Sequence, residues 1–276
     1  MSPVTSKVYL SSIQLYRYEP AENFYVTIKG NELSEKLLYP ELVRPLLNVQ
    51  EIDAIEYENI FDQLSSDEKT AVRLWTMTAA DRGHYSDGAE AISTKNNTFN
   101  SYVFNRQLYE RRPLNDFYRN IVRNLTSVIN KLPHTTGDFI RISEYSTPPN
   151  ENPWINGTIN VGDIVTNTSA FMSTSNDWAY VEYILDGFHV LKNTTTYALF
   201  KFVNSNQFAP LLRGVASLSA DEHEHLAPIG CAFRVLGIAY AKPVNEHSQL
   251  KVRVGVLLED SSENRNMKDI HTGELI

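Results

Sequence analysis

The sequence predicts an α+β fold, with helices gathered in the first half of the chain and strands in the second. Three observations carry this. Leu114, Phe117, Tyr118, Ile121, Val122, Leu125, Val128, Ile129 and Leu132 recur at three- and four-residue spacing, the signature of one long amphipathic helix. From Asp138 onward, β-branched and aromatic runs are separated by glycine- and proline-bearing turns, the punctuation of strands. The chain has 276 residues, 42% of them hydrophobic and 21% charged, which gives ample core for a large domain.

The elements follow in order. Tyr9 to Tyr18 and Asn23 to Lys29 read as two short strands, and Glu35 to Leu47 has helical spacing broken by Pro40 and Pro45. Residues 1–50 are expected to form an accessory extension, or a first lobe that packs on the rest. Ser65-Ser66-Asp67-Glu68 is a capping box, opening a helix through Ala71, Val72, Trp75 and Ala79. Thr98 to Leu108 is expected to be helical. Phe139 to Ser143, Val161 to Val165, Ala170 to Ser175, Tyr197 to Val203, Cys231 to Ile238, Ile238 to Pro243 and Leu250 to Leu258 read as strand stretches. Residues 51–260 are expected to be the main domain, and the charged residues 261–276 a loose tail.

Composition excludes several function classes. A net charge of −8 argues against general attraction to nucleic acid or to anionic membranes. The single cysteine, Cys231, excludes an internal disulfide framework and a cysteine-rich zinc site. No run of 18 apolar residues is present. The first residues lack the apolar core of a signal peptide, so the chain is expected to act in the cytoplasm or to be delivered into a host cell. It is expected to be a monomer. The sequons at Asn96, Asn124, Asn156, Asn167 and Asn193 are read as chance in an Asn/Thr-rich chain.

The polar stretch with most chemical content is Glu222-His223-Glu224. Two glutamates one residue apart face the same way on an extended backbone, and like charges there repel unless something exploits them. Leu226 to Gly230 follows as a turn, then the apolar run from Cys231. His223 and His225 alternate with the glutamates and could suit zinc. The zinc-protease pattern needs two histidines four apart, and Ala227 occupies the second place. No metal is expected, and the histidines are read as solvated. Upstream, Arg141 lies on the strand face opposite Ile140 and Ile142, and Ser173 lies in Phe171-Met172-Ser173-Thr174-Ser175.

Taken in order, these three stretches resemble the arginine-serine-glutamate clade of mono-ADP-ribosyltransferases, toxin-like bacterial enzymes and animal arginine-specific transferases among them. Asp138-Phe139-Ile140-Arg141 is similar to the family's first strand with its arginine. Phe171 to Ser175, preceded by Gly162-Asp163 and Ala170, is similar to its Phe-X-Ser-Thr-Ser strand. Glu222-His223-Glu224, backed by Leu226, Pro228, Gly230, Phe233 and Val235, is similar to its Glu-X-Glu turn and strand. The resemblance spans roughly residues 52 to 245. Two positions depart from the pattern. Ile142 stands where the family has glycine after the arginine, and Ser219 where it often has an aromatic residue.

The resemblance implies an ADP-ribosyltransferase-like fold: a helical lobe, then a strand-rich NAD-binding core of two packed sheets. It implies NAD as a substrate, without a metal, and transfer of ADP-ribose to an arginine of a target protein. In that scheme Glu224 bonds the nicotinamide-ribose hydroxyl and stabilises the oxocarbenium-like state. Arg141 holds NAD, and Ser173 orients Glu224. Thr174 and Ser175 complete the NAD-binding strand, and Glu222 serves the incoming guanidinium. Trp178, Tyr180, Tyr183 and Phe188 are candidates for stacking near nicotinamide. The alternatives are hydrolysis of NAD to ADP-ribose and nicotinamide, or a non-catalytic binding module of the same fold.

Overall fold

The computed structural model describes residues 8–10, 13–17, 24–39, 48, 50, 52–76, 101–145, 147–148, 150–177, 179, 196–212, 214–216, 224–243 and 253–276. Among them, no helix is long and apolar enough to cross a membrane.

The helical lobe is built from α2 (Ala54–Asp62), α3 (Ser66–Thr76), α4 (Ser101–Tyr109) and α5 (Asp116–Lys131). The starts of α2, α3 and α5 have local causes. The Asp53 side chain accepts from the amides of Ile55 and Glu56, and Asn115 accepts from Tyr118 at 2.8 Å. The predicted capping box is present. The Ser65 amide donates to Glu68 Oε2 at 2.9 Å, and the Glu68 amide to Ser65 Oγ at 3.3 Å. The predicted stripe of α5 buries Ile121, Leu125, Val128 and Ile129 against Val72, Trp75 and Phe104. The helical segment expected from Thr98 is described from Ser101, and Ala79 lies outside the described residues.

The strands fall into two groups joined by one strand. In the first, β1 (Val8–Leu10), β2 (Ile13–Arg17) and β3 (Phe24–Gly30) pair antiparallel in sequence, and β3 pairs along its whole length with β9 (Ala232–Pro243). β5 (Ile164–Thr166) also pairs with β9, and β11 (Lys268–Asp269) runs parallel to β5. The second group is a closed ring. β7 (Thr196–Pro210) pairs β4 (Thr135–Tyr145), β4 pairs β6 (Met172–Ser175), β6 pairs β8 (Glu224–Ala227), and β8 returns to the end of β7. Between the groups lies β10 (Val254–Asp260), antiparallel to β9 and parallel to β7. The two expected sheets are thus linked into one hydrogen-bonded network. An aromatic core lies within it, with Phe139, Phe200, Phe202, Phe208 and Phe233 at its centre.

Three expectations are narrowed or corrected. The single strand expected from Tyr9 to Tyr18 is two strands paired with each other. The described residues of 1–50 do not stand apart as an extension; they pack on the rest, the other alternative expected. Besides adding β1–β3 to the sheet, they supply α1 (Leu33–Lys36), followed by Leu37 and Leu38, which are fully buried with Ile140, Leu199 and Leu257. This helix lies so close to the sheet that a Cβ on Gly255 would come within 2.5 Å of the Ser34 carbonyl oxygen, so glycine is required there. Nor is the C-terminal stretch loose: Ile270 is buried, and its carbonyl accepts from Tyr145 Oη at 3.2 Å. Asp269 folds the turn by accepting from the amides of His271 and Thr272. Its charged residues serve local bonds rather than solvation alone.

Candidate functional site

Three strands of the closed ring bring the predicted residues together. Arg141 comes from β4, where alternation sends Ile140 and Ile142 toward the core under α1 and leaves Arg141 on the opposite face with Phe139. The departure at Ile142 therefore falls on the face away from Arg141. Ser173 comes from β6 and Glu224 from β8. These strands pair antiparallel with Ser175 opposite Glu224 and Ser173 opposite Leu226, so Ser173 is the diagonal neighbour of Glu224 on the same face. Arg141, Ser173 and Glu224 each keep some exposure, whereas Ile140, Met172, Thr174, Ser175 and His225 are buried. The three are thus partly exposed members of strands that meet in the closed ring.

Hydrogen bonds fix the group. Arg141 Nη1 donates to the Ser173 carbonyl at 2.6 Å, Nε to Ser143 Oγ at 3.2 Å and Nη2 to Tyr109 Oη at 3.2 Å. A guanidinium has five N–H donors, so among the described residues two remain for a ligand. Glu224 accepts from Trp75 Nε1 at 2.9 Å, and the nearby Ser173 hydroxyl favours its charged form. Burial pushes the Glu224 carboxyl above the usual glutamate range. The bonds from Ser173 and Trp75 and the charge of Arg141 offset this only in part.

Thr174 and Ser175 are spent on backbone. Thr174 Oγ1 donates to the His225 carbonyl at 3.1 Å, and Ser175 Oγ accepts from the Asp177 amide at 3.0 Å. The expectation of solvated histidines fails for His225. It is 5% exposed, with its ring 4.8 Å from that of Phe139, because one step along β8 carries it to the other face. Glu222, His223, Trp178, Tyr180, Tyr183, Phe188 and Ser219 lie outside the described residues. Among the described residues, no group of three or more His, Cys, Asp or Glu could hold a metal ion.

The helical lobe contributes residues that sequence reasoning missed. Trp75 is expected only as a residue of the capping-box helix, and Tyr109 lies one residue past the expected helical segment. Asn105 on α4 clamps the start of β6 from both sides. Its Nδ2 donates to the Phe171 carbonyl and its Oδ1 accepts from the Phe171 amide, both at 3.1 Å. His271, from the C-terminal turn, sets its ring edge-on to Tyr109 at 4.4 Å. Burial and the nearby Arg141 charge push the imidazole down to about 4, against the pull of Asp269, so it is neutral near pH 7. The one available signal was chemical: a buried indole or phenol needs a hydrogen-bond partner.

No family model matches the chain, and no curated protein matches it significantly. Solved structures do. The ADP-ribosyltransferase Vis in complex with the M6 inhibitor aligns over 90% of this chain and 95% of its own, at 16% identity and a TM-score of 0.51. Vis toxin from Vibrio splendidus aligns over 89% and 92%, at 17% identity and a TM-score of 0.47. Exoenzyme S from Pseudomonas aeruginosa, solved with human 14-3-3 protein beta and carba-NAD, aligns over 72% and 90%, at 15% identity and a TM-score of 0.41. The fold assignment rests on the first of these, together with the helical lobe and strand-rich core described above. The chain has the fold of the ADP-ribosyltransferases.

Proposed function

We propose that this protein transfers ADP-ribose from NAD to an arginine side chain of a target protein, releasing nicotinamide. The observation that carries the reading is the meeting of Arg141, Ser173 and Glu224, from three separate segments, on one partly open face. The two unused donors of Arg141 suit the phosphate oxygens of NAD, which a planar guanidinium binds through parallel bonds. Glu224 supplies a fixed negative charge beside the nicotinamide ribose. As the glycosidic C–N bond breaks, nicotinamide leaves with the bonding electron pair and the ribose gains positive charge, which the carboxylate stabilises. A guanidinium nitrogen of the acceptor then forms the new bond to the ribose carbon, and its proton passes to Glu222. Ser173 holds Glu224 in orientation, and Thr174 and Ser175 act through the strand they build.

The test separates donor from acceptor chemistry. Purified protein is incubated with labelled NAD and cell lysate, nicotinamide release is followed, and labelled residues are identified by mass spectrometry. Wild type is expected to release nicotinamide and to label arginine. Glu222→Gln is expected to lose arginine labelling while retaining much of the nicotinamide release. Labelling of a residue other than arginine would overturn the acceptor assignment. No release by wild type would overturn the use of NAD.

A further inference from the structure

The helical lobe touches each of the three site residues or its strand: Tyr109 on Arg141, Asn105 on the strand that carries Ser173, and Trp75 on Glu224. Of these contacts, the one to Glu224 is the most specific. Trp75 is 6% exposed, and a phenylalanine would fill the same apolar seat against Phe171, whose ring it meets edge-on at 5.6 Å. What tryptophan adds is one N–H, and at 2.9 Å that N–H points at a carboxylate oxygen. Indole nitrogen only donates, so its bond is strongest when the carboxylate is ionised. The seat itself is fixed, since Asn105 holds the Phe171 backbone at both its amide and its carbonyl.

We propose that Trp75 is a positioning residue for the reaction: from the helical lobe it holds the Glu224 carboxylate in place and in its charged form, facing the ribose. This rests on the reading of Glu224 given above. Ser173 secures the carboxylate from the neighbouring strand, and Trp75 from across the junction between lobe and sheet, so neither oxyanion charge nor rotamer depends on β8 alone. Among the described residues, Arg141 is the charged group acting on Glu224, with Tyr109 and His271 behind it.

The experiment has two arms on the full chain. In the first, nicotinamide release is measured against pH for wild type and Trp75→Phe. Loss of the donor is expected to move the acid limb up by about one pH unit and to lower kcat about tenfold below it. KM for NAD should change by less than about twofold, because an interaction made only as charge develops acts on kcat. A packing role alone would scale activity equally at every pH, and that result overturns the proposal. In the second arm, tryptophan indoles are labelled with nitrogen-15. The chain has three tryptophans. The Trp75 signal is assigned by its loss in Trp75→Phe or, where that variant does not fold, as the one retained in both Trp154→Phe and Trp178→Phe. It is expected to titrate with Glu224 in wild type and to be flat in Glu224→Gln. If wild type releases nicotinamide and this signal does not titrate, the positioning role falls alone. If wild type releases none, the NAD reading falls whatever the indole does.

Discussion

Two glutamates meet the same helix, and the fold treats them in opposite ways. Glu68 and Trp75 sit two turns apart on one face of α3, so this helix owns one buried carboxylate and grips another. Burial pushes the Glu68 carboxyl up, but bonds from Lys131, Ser127 and the Ser65 cap more than reverse it and hold it at about 2. Glu224 has donors too but, among the described residues, no lysine against it, and its carboxyl stays above the usual range. The difference separates a carboxylate that stabilises the fold from one whose charge the fold tolerates at a cost. Such a cost is expected where negative charge must be ready for a substrate.

The strongest way to break the comparison is Glu224→Gln. Nicotinamide release should fall at least about a hundredfold, because a charge aimed at the transition state is gone. Stability at pH 7 should hold or rise. A raised folded-state value means that Glu224 favours folding below its ordinary range and opposes it once ionised, so the amide removes an opposing charge. Thermal melts run beside the activity assay would check this, and a clear fall in melting temperature would show that Glu224 is structural.

Glu68→Gln should do the reverse. Its bonds to Lys131 and Ser127 weaken, and folding stability should drop by about 2–3 kcal/mol in denaturant titrations. Below the melting range, nicotinamide release should stay within about twofold of wild type, as Glu68 touches none of the three site residues.

The smallest effect is one of order along the pH axis. For Glu68, with its value depressed, stability is complete above the ordinary glutamate range and is lost as pH falls from about 4.5 toward 2. Activity, which on the proposed reading needs ionised Glu224, should fail earlier, above that range. Circular dichroism and nicotinamide release followed together should therefore show a folded but inactive protein just above pH 4.5. Coincident loss of both would erase the distinction between the two carboxylates.

What was legible in the sequence is what strands and helices encode locally. Arg141, Ser173 and Glu224 could be found because each sits in a short ordered motif, and the capping box and α5 stripe because their spacing is helical. The contacts from α3 and α4 were hidden for the same reason. Trp75 and Glu224 are 149 residues apart, and no local pattern reports which acceptor a core indole will meet. The C-terminal stretch misled through composition: its charges suggested solvation, yet Asp269 spends its carboxylate on a turn that carries Ile270 inward. His225 misled through its company with glutamates, since alternation put it on the other face.

The position of β10 has a consequence for how the protein is made. Among the described strands it alone bonds both groups, and it comes after β3, β9, β4 and β7 in the chain. As a chain emerges from the ribosome, the helical lobe and the ring of β4, β6, β7 and β8 can form from residues already available. The β3–β9 pair can form as well. The facing edges of β7 and β9 must wait until Asp260 has emerged, and pairing Val254 with Ala198 is parallel and distant in sequence, the slow kind of contact. Nascent chains halted shortly before β10 would present two unpaired strand edges at once, and so would be the species most in need of a chaperone.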